Sequence, residues 1–98
     1  MARRINQTMT FYYPAKLYKK PEGGYRVEYF DLDQCFGDGA TEDEALADAR
    51  ANAIDWIQLE LADTNDLPEV THKDDVNLTP EERFVEMMII MPREGWDE

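Results

Sequence analysis

The chain contains no serine, one cysteine (Cys35) and one histidine (His72). Without serine, hydrolysis through a serine nucleophile is excluded. A single cysteine excludes an internal disulfide, and with it a small secreted fold held by cross-links. Cys35 reads instead as a small buried apolar side chain. His72 has no second histidine or cysteine beside it, so no zinc ligand set is visible. No apolar run reaches the length of a membrane span, and the N-terminus lacks a secretory apolar core. Membrane association is not expected, and a cytoplasmic location is the default. Positive charge is also scarce. Ten Lys and Arg stand against twenty-two Asp and Glu, for a net charge of −12.

The two signs of charge are segregated. Residues 1–26 carry six basic side chains (Arg3, Arg4, Lys16, Lys19, Lys20, Arg26) against one acid, a local +5, and the rest carries four against twenty-one, a local −17. A body this negative repels phosphate backbones, whose binding rests on Lys and Arg displacing counterions. Direct nucleic-acid binding by this chain is therefore not expected. The same body attracts basic proteins and speeds encounter with them. Acidic surfaces also simply keep small proteins soluble, so charge alone does not decide between these roles.

Ninety-eight residues suit one domain with a thin core, one sheet face against one helix. The expected organisation is a basic arm at 1–7, a folded domain at 8–92 and a tail at 93–98. Met9, Phe11, Tyr13, Ala15 and Leu17 alternate and predict a first strand, where Pro14 argues for an edge or a bulge. A turn at 20–24 leads to a second strand through Tyr25, Val27 and Tyr29. A short third strand is predicted at 34–37, then a loop Gly37-Asp38-Gly39-Ala40.

Apolar residues then recur every three or four positions, which predicts a helix over 42–62. Thr41 and Glu44 have the spacing of a capping box, and Glu42, Asp43 and Glu44 complement the positive end of the helix dipole. Ala45, Leu46, Ala49, Ala53, Trp56, Ile57 and Leu61 form the predicted buried stripe. Ile54 and Leu59 fall off it. Asn65 is placed to end the helix in a left-handed conformation. Residues 66–75 read as loop, and Thr79-Pro80-Glu81-Glu82 as the start of a short helical turn. Residues 84–91 are apolar on both faces except at Glu86, a pattern of strands buried on both sides. One helix cannot cover both faces of a sheet, so a homo-oligomer, dimer or tetramer, is expected. Pro92 ends this last strand.

Chemistry-bearing patterns fail on inspection. Asp31, Asp33, Asp38 and Glu42 begin like a calcium loop, but Cys35 and Phe36 stand where an oxygen ligand and a glycine are needed. Gly37-Asp38-Gly39 before a helix lacks the lysine of a phosphate loop, and three acids crowd the helix start. No catalytic set, cofactor or metal site is expected.

Gly23-Gly24-Tyr25, Phe30-Asp31-Leu32, Cys35, Gly39-Ala40-Thr41 and Glu44-Ala45-Leu46, in this order and spacing, resemble the HicB-like antitoxin domain. One departure is Asp33-Gln34, which stands where that family usually has Pro-Gly before the cysteine. The resemblance covers residues 11–70 and implies an α+β fold of order β-β-β-α-β. It further implies an antiparallel meander, one long helix on the sheet and a partial ribonuclease-H-like architecture. It also implies a non-enzymatic antitoxin that binds and occludes HicA, a small basic toxin that cleaves mRNA. No DNA-binding domain of the kind many HicB proteins carry fits in the residues after Met91. The structural signature is then Gly23, Gly24, Tyr25, Asp31, Leu32, Cys35, Gly39, Thr41 and Glu44. The residues for contact with a partner are Asp48, Ile54, Asp55, Leu59, Glu86, Met88 and Ile90. Two other readings compete: a self-assembling domain without a toxin, and a metal-dependent nuclease using clustered carboxylates.

Overall fold

The computed structural model describes residues 9–63 and 66–91. The expected basic arm, the cap at Asn65, the stop at Pro92 and the tail lie outside these residues. Four strands form one sheet in the order β3-β2-β1-β4, with β1 at Met9–Lys19, β2 at Tyr25–Tyr29, β3 at Phe36–Gly39 and β4 at Arg83–Met91. All three pairings are antiparallel. The helix α1 (Glu42–Asp63) lies on one face. The protein is thus an α+β fold of order β-β-β-α-β, two layers thick.

The strand period of two decides which side chains meet the helix. Tyr13, Ala15 and Leu17 of β1, Val27 and Tyr29 of β2, and Met87, Ile89 and Met91 of β4 are buried on the helix side. From α1 they meet Ala45, Ala49, Ala53 and Ile57. Three alanines four residues apart remove side-chain bulk, so the helix backbone comes close to β3. Glycine completes the fit. A methyl group added at Gly37 would lie 2.7 Å from Ala49 Cβ, and one at Gly39 would lie 2.6 Å from the carbonyl carbon of Glu44. Gly37 lies in β3, within the predicted strand, and Gly39 belongs to β3 and not to the loop that the sequence predicts; the third strand begins two residues later than expected. Their role is close packing, which looks the same as a loop in a single sequence.

Several further expectations change. Pro14 sits in β1, a central strand, opposite Glu86 of β4. Its carbonyl accepts from Phe30 N–H on the β2 side. A strand residue turns its N–H and C=O to the same side, so the missing donor faces β2, whose ladder ends one residue earlier at Ala15 and Tyr29. The β4 ladder loses nothing. Trp56 is half-buried at the rim, where Nε1–H donates to Asp33 O at 3.0 Å, while Ile57 fills the wider end. Ile54 is not off the core but packs partly against it. Thr79–Glu82 forms a turn, closed by Glu82 N–H to Thr79 O, and the short helical turn lies at Lys73–Asp75, where loop was expected. β4 is buried on one side only.

The helix start follows its sequence code with one shift. Thr41 Oγ1 accepts from Glu44 N–H, but Glu44 Oε1 accepts from Ala40 N–H, one residue before the cap. Cys35 N–H donates to Leu32 O, closing a turn whose third residue, Gln34, has φ +59°. That is a type II turn, the geometry Pro-Gly favours, here made by Asp33-Gln34. The hairpin before β2 places Gly23 and Gly24 at positive φ, with Lys20 N–H bonded to Gly24 O.

Candidate protein-binding surfaces

The seven residues picked out for partner contact fall on two separate surfaces. Asp48, Ile54, Asp55 and Leu59 belong to α1. Glu86, Met88 and Ile90 point from β4 to the face of the sheet away from the helix.

The helix surface is acidic by its own composition, and Lys16, Lys20 and Arg26 are paired on the other side of the sheet. On the outer sheet face Arg26 Nε and Nη2 donate to Asp38 at 2.8 and 3.2 Å, and the guanidinium lies over the Phe36 ring. Lys20 Nζ lies 3.3 Å from Asp38, and Lys16 Nζ lies 3.2 Å from Glu82 and 3.8 Å from Glu28. The hydrogen bond from Arg26, and then that from Lys20, holds the Asp38 carboxyl below the usual carboxylate range. Glu82 is lowered by the Thr79 N–H and then by Lys16. Lys16, Lys20 and Arg26 thus make a charge-balanced mosaic with acids on that face. Helix α1 carries seven acids and one base, Arg50. Glu42 is paired with Arg83 at 3.0 Å. Asp43, Glu44, Asp48, Asp55 and Asp63 are exposed.

Two helix side chains reach the outer edge of β3. Asp48 Oδ2 accepts from Asp38 N–H at 3.0 Å, and Asn52 Nδ2 donates to Phe36 O at 2.7 Å. Asp48, chosen as a contact residue, therefore covers a strand edge. Asn52 was missed, since an i, i+4 polar pair looks like ordinary wet helix surface. One turn further, Asp55, Trp56 and Leu59 line a surface groove of about 310 Å³ against Gln34 and Cys35. Leu59 is 72% exposed.

On the outer sheet face Met88 and Ile90 are 43% and 45% exposed, and Tyr12, directly opposite Met88, is 51% exposed. Tyr12 was missed, although its place off the buried side of β1 was readable. At the other end of this face Phe30 stacks on Phe84 at 6.1 Å, Lys73 lies over Phe84, and Pro14 is fully buried. Lys73 and Glu82 thus cover one end of the outer face, against Phe84 and Lys16, and the end with Tyr12, Met88 and Ile90 stays exposed.

The carboxylates weighed for a metal diverge. Asp31 accepts from the N–H and hydroxyl of Thr71, Asp38 is held by Arg26, and Glu42 is held by Arg83. Among the described residues no group of three or more His, Cys, Asp or Glu is placed to hold a metal ion. Burial pushes the Cys35 thiol up to about 11. His72 is exposed at the start of the short turn and caps nothing with its side chain. No described helix is long and apolar enough to cross a membrane. No protein-family model matches the chain, and no curated protein matches it.

Proposed function

We propose that this chain is a HicB-like antitoxin, of partial ribonuclease-H-like architecture, that binds a small basic HicA-like toxin and covers its RNA-cleaving surface. The observation that carries the reading is the separation of charge in space. The outward side of α1 presents acids with a single arginine, while Lys16, Lys20 and Arg26 are tied into ion pairs on the opposite side of the sheet. A basic nuclease expects a polyanion, and an acidic helix face meets that expectation without being cleaved.

The groove beside Asp55 suits a cationic side chain of the toxin. Its stem would lie on Trp56 and Leu59 and its charge would meet the Asp55 carboxylate. The chain itself performs no chemistry, and it needs no cofactor.

The test is co-expression with the small basic product of the adjacent reading frame, followed by pull-down and growth rescue. A stable complex and rescued growth are expected. Asp55→Lys with Leu59→Glu should weaken both while leaving the circular dichroism of the chain unchanged. Absence of any complex, or magnesium- or manganese-dependent RNA cleavage by the purified chain alone, would overturn the reading.

A further inference from the structure

We propose that β4 is a self-association edge, through which two copies join their sheets into one about a two-fold axis. This does not depend on the toxin reading and concerns the other side of the molecule.

The first observation is the direction of the backbone groups. Met88 O points away from β1, since Arg50 Nε reaches it from outside the sheet at 3.2 Å. N–H and C=O of alternate residues share a side, so Glu86, Met88 and Ile90 all direct theirs to the free edge. Among the described residues no strand pairs with that edge. Arg50 occupies one lone pair of one carbonyl, and a carbonyl has two. Among the described residues nothing accepts from the three N–H donors.

The second observation is the side chains on the same residues. Tyr12, Met88 and Ile90 make an exposed apolar patch running up to the edge. Glu86 is the one charge among these residues, in a molecule of net charge −12. A basic partner has little to hold here. A second copy has a matching strand and a matching patch. With the two strands antiparallel and centred on Met88, Glu86 of one copy lies opposite Ile90 of the other, so no like charges face each other.

The third observation limits the assembly. The opposite edge, β3, is occupied by Asp48 and Asn52 of α1. With one edge open and the other covered, pairing closes at two copies and does not grow into a filament.

Sedimentation equilibrium of the full chain at physiological salt should give twice the chain mass at high concentration. Two variants test the surface. Met88→Lys places like charges on the axis. Met88→Pro removes an outward N–H without touching the β1 ladder. Each should weaken dimerisation about tenfold or more with circular dichroism unchanged. Hydrogen exchange gives an independent reading. The amides of Glu86, Met88 and Ile90 should slow as concentration rises, while those of Met87 and Ile89 are slow throughout. A single-chain mass at every concentration, a dimer indifferent to both substitutions, or edge amides that exchange fast in the dimer would each overturn the proposal. A dimer that forms normally while toxin binding fails would leave this inference standing and remove only the other.

Discussion

Gln34 holds a left-handed φ of +59° in a turn suited to glycine at that position. Such a conformation costs a non-glycine residue roughly 1–2 kcal/mol. Gln34→Gly should therefore raise stability by about 1 kcal/mol, less the extra freedom glycine gives the unfolded chain, read as a higher urea midpoint with an unchanged slope. Gly37 faces the opposite constraint. Gly37→Ala drives a methyl group into the backbone of Ala49 and should cost about 3 kcal/mol or more, lowering the same midpoint or preventing folding.

Asp38 gives a pH signature. Its folded value is depressed by Arg26 and Lys20, so its contribution is present above the unfolded value of roughly 3.9 and is lost as pH falls through the folded value. Acid unfolding of Asp38→Asn should be flatter across that window than that of the parent chain. Cys35 shows the reverse. With its thiol raised to about 11, alkylation at pH 8 should be far slower in the folded chain than in urea. Equal rates would mean that the β2–β3 turn does not bury it.

Among the elements, the helix was the most readable from sequence. Its cap pair Thr41 and Glu44, and the recurrence of Ala45, Ala49 and Ala53, repeat a pattern only a helix satisfies, and its observed end lies one residue from the expected one. β3 was misread because Gly37 and Gly39 carry the same letter whether they permit a turn or a close approach. Pro14 was misplaced because sequence shows the missing N–H but not which neighbour it would have faced. The order in the sheet, with β4 beside β1, required coordinates. Of the candidate surfaces, the apolar last strand was legible as a pattern. The edge-covering roles of Asp48 and Asn52 were not, since they depend on where β3 lies under the helix. Those two side chains carry a prediction of their own. The double substitution Asp48→Ala with Asn52→Ala frees two groups on the β3 edge. It should cost about 1–2 kcal/mol and, with both edges then open, convert a closed dimer into larger assemblies visible by light scattering. A stable dimer in that variant would show that β3 needs no such cover.

For the molecule as a whole, sequence charge became spatial charge. Within the described part of the +5 segment, Lys16, Lys20 and Arg26 pair with Glu28, Glu82 and Asp38 on the sheet, while Lys19 is exposed. What is left over is negative and is shared between α1 and residues 66–81, with Glu86 the one charge among the outward residues of β4. The chain therefore offers two surfaces of different chemistry, an acidic helix face, proposed to meet an oppositely charged protein, and an apolar strand edge, proposed to meet a second copy.

Electrostatic attraction of this type acts mainly on the rate of encounter and weakens as the Debye length shrinks from ~10 Å at 0.1 M salt to ~3 Å at 1 M. The decisive measurement is the association rate of the chain with the proposed basic toxin across that range of salt, by stopped flow. A steep fall in the rate, with a much smaller change in dissociation, is the predicted result. A rate that does not respond to salt would contradict the claim that the acidic helix face is what the partner meets.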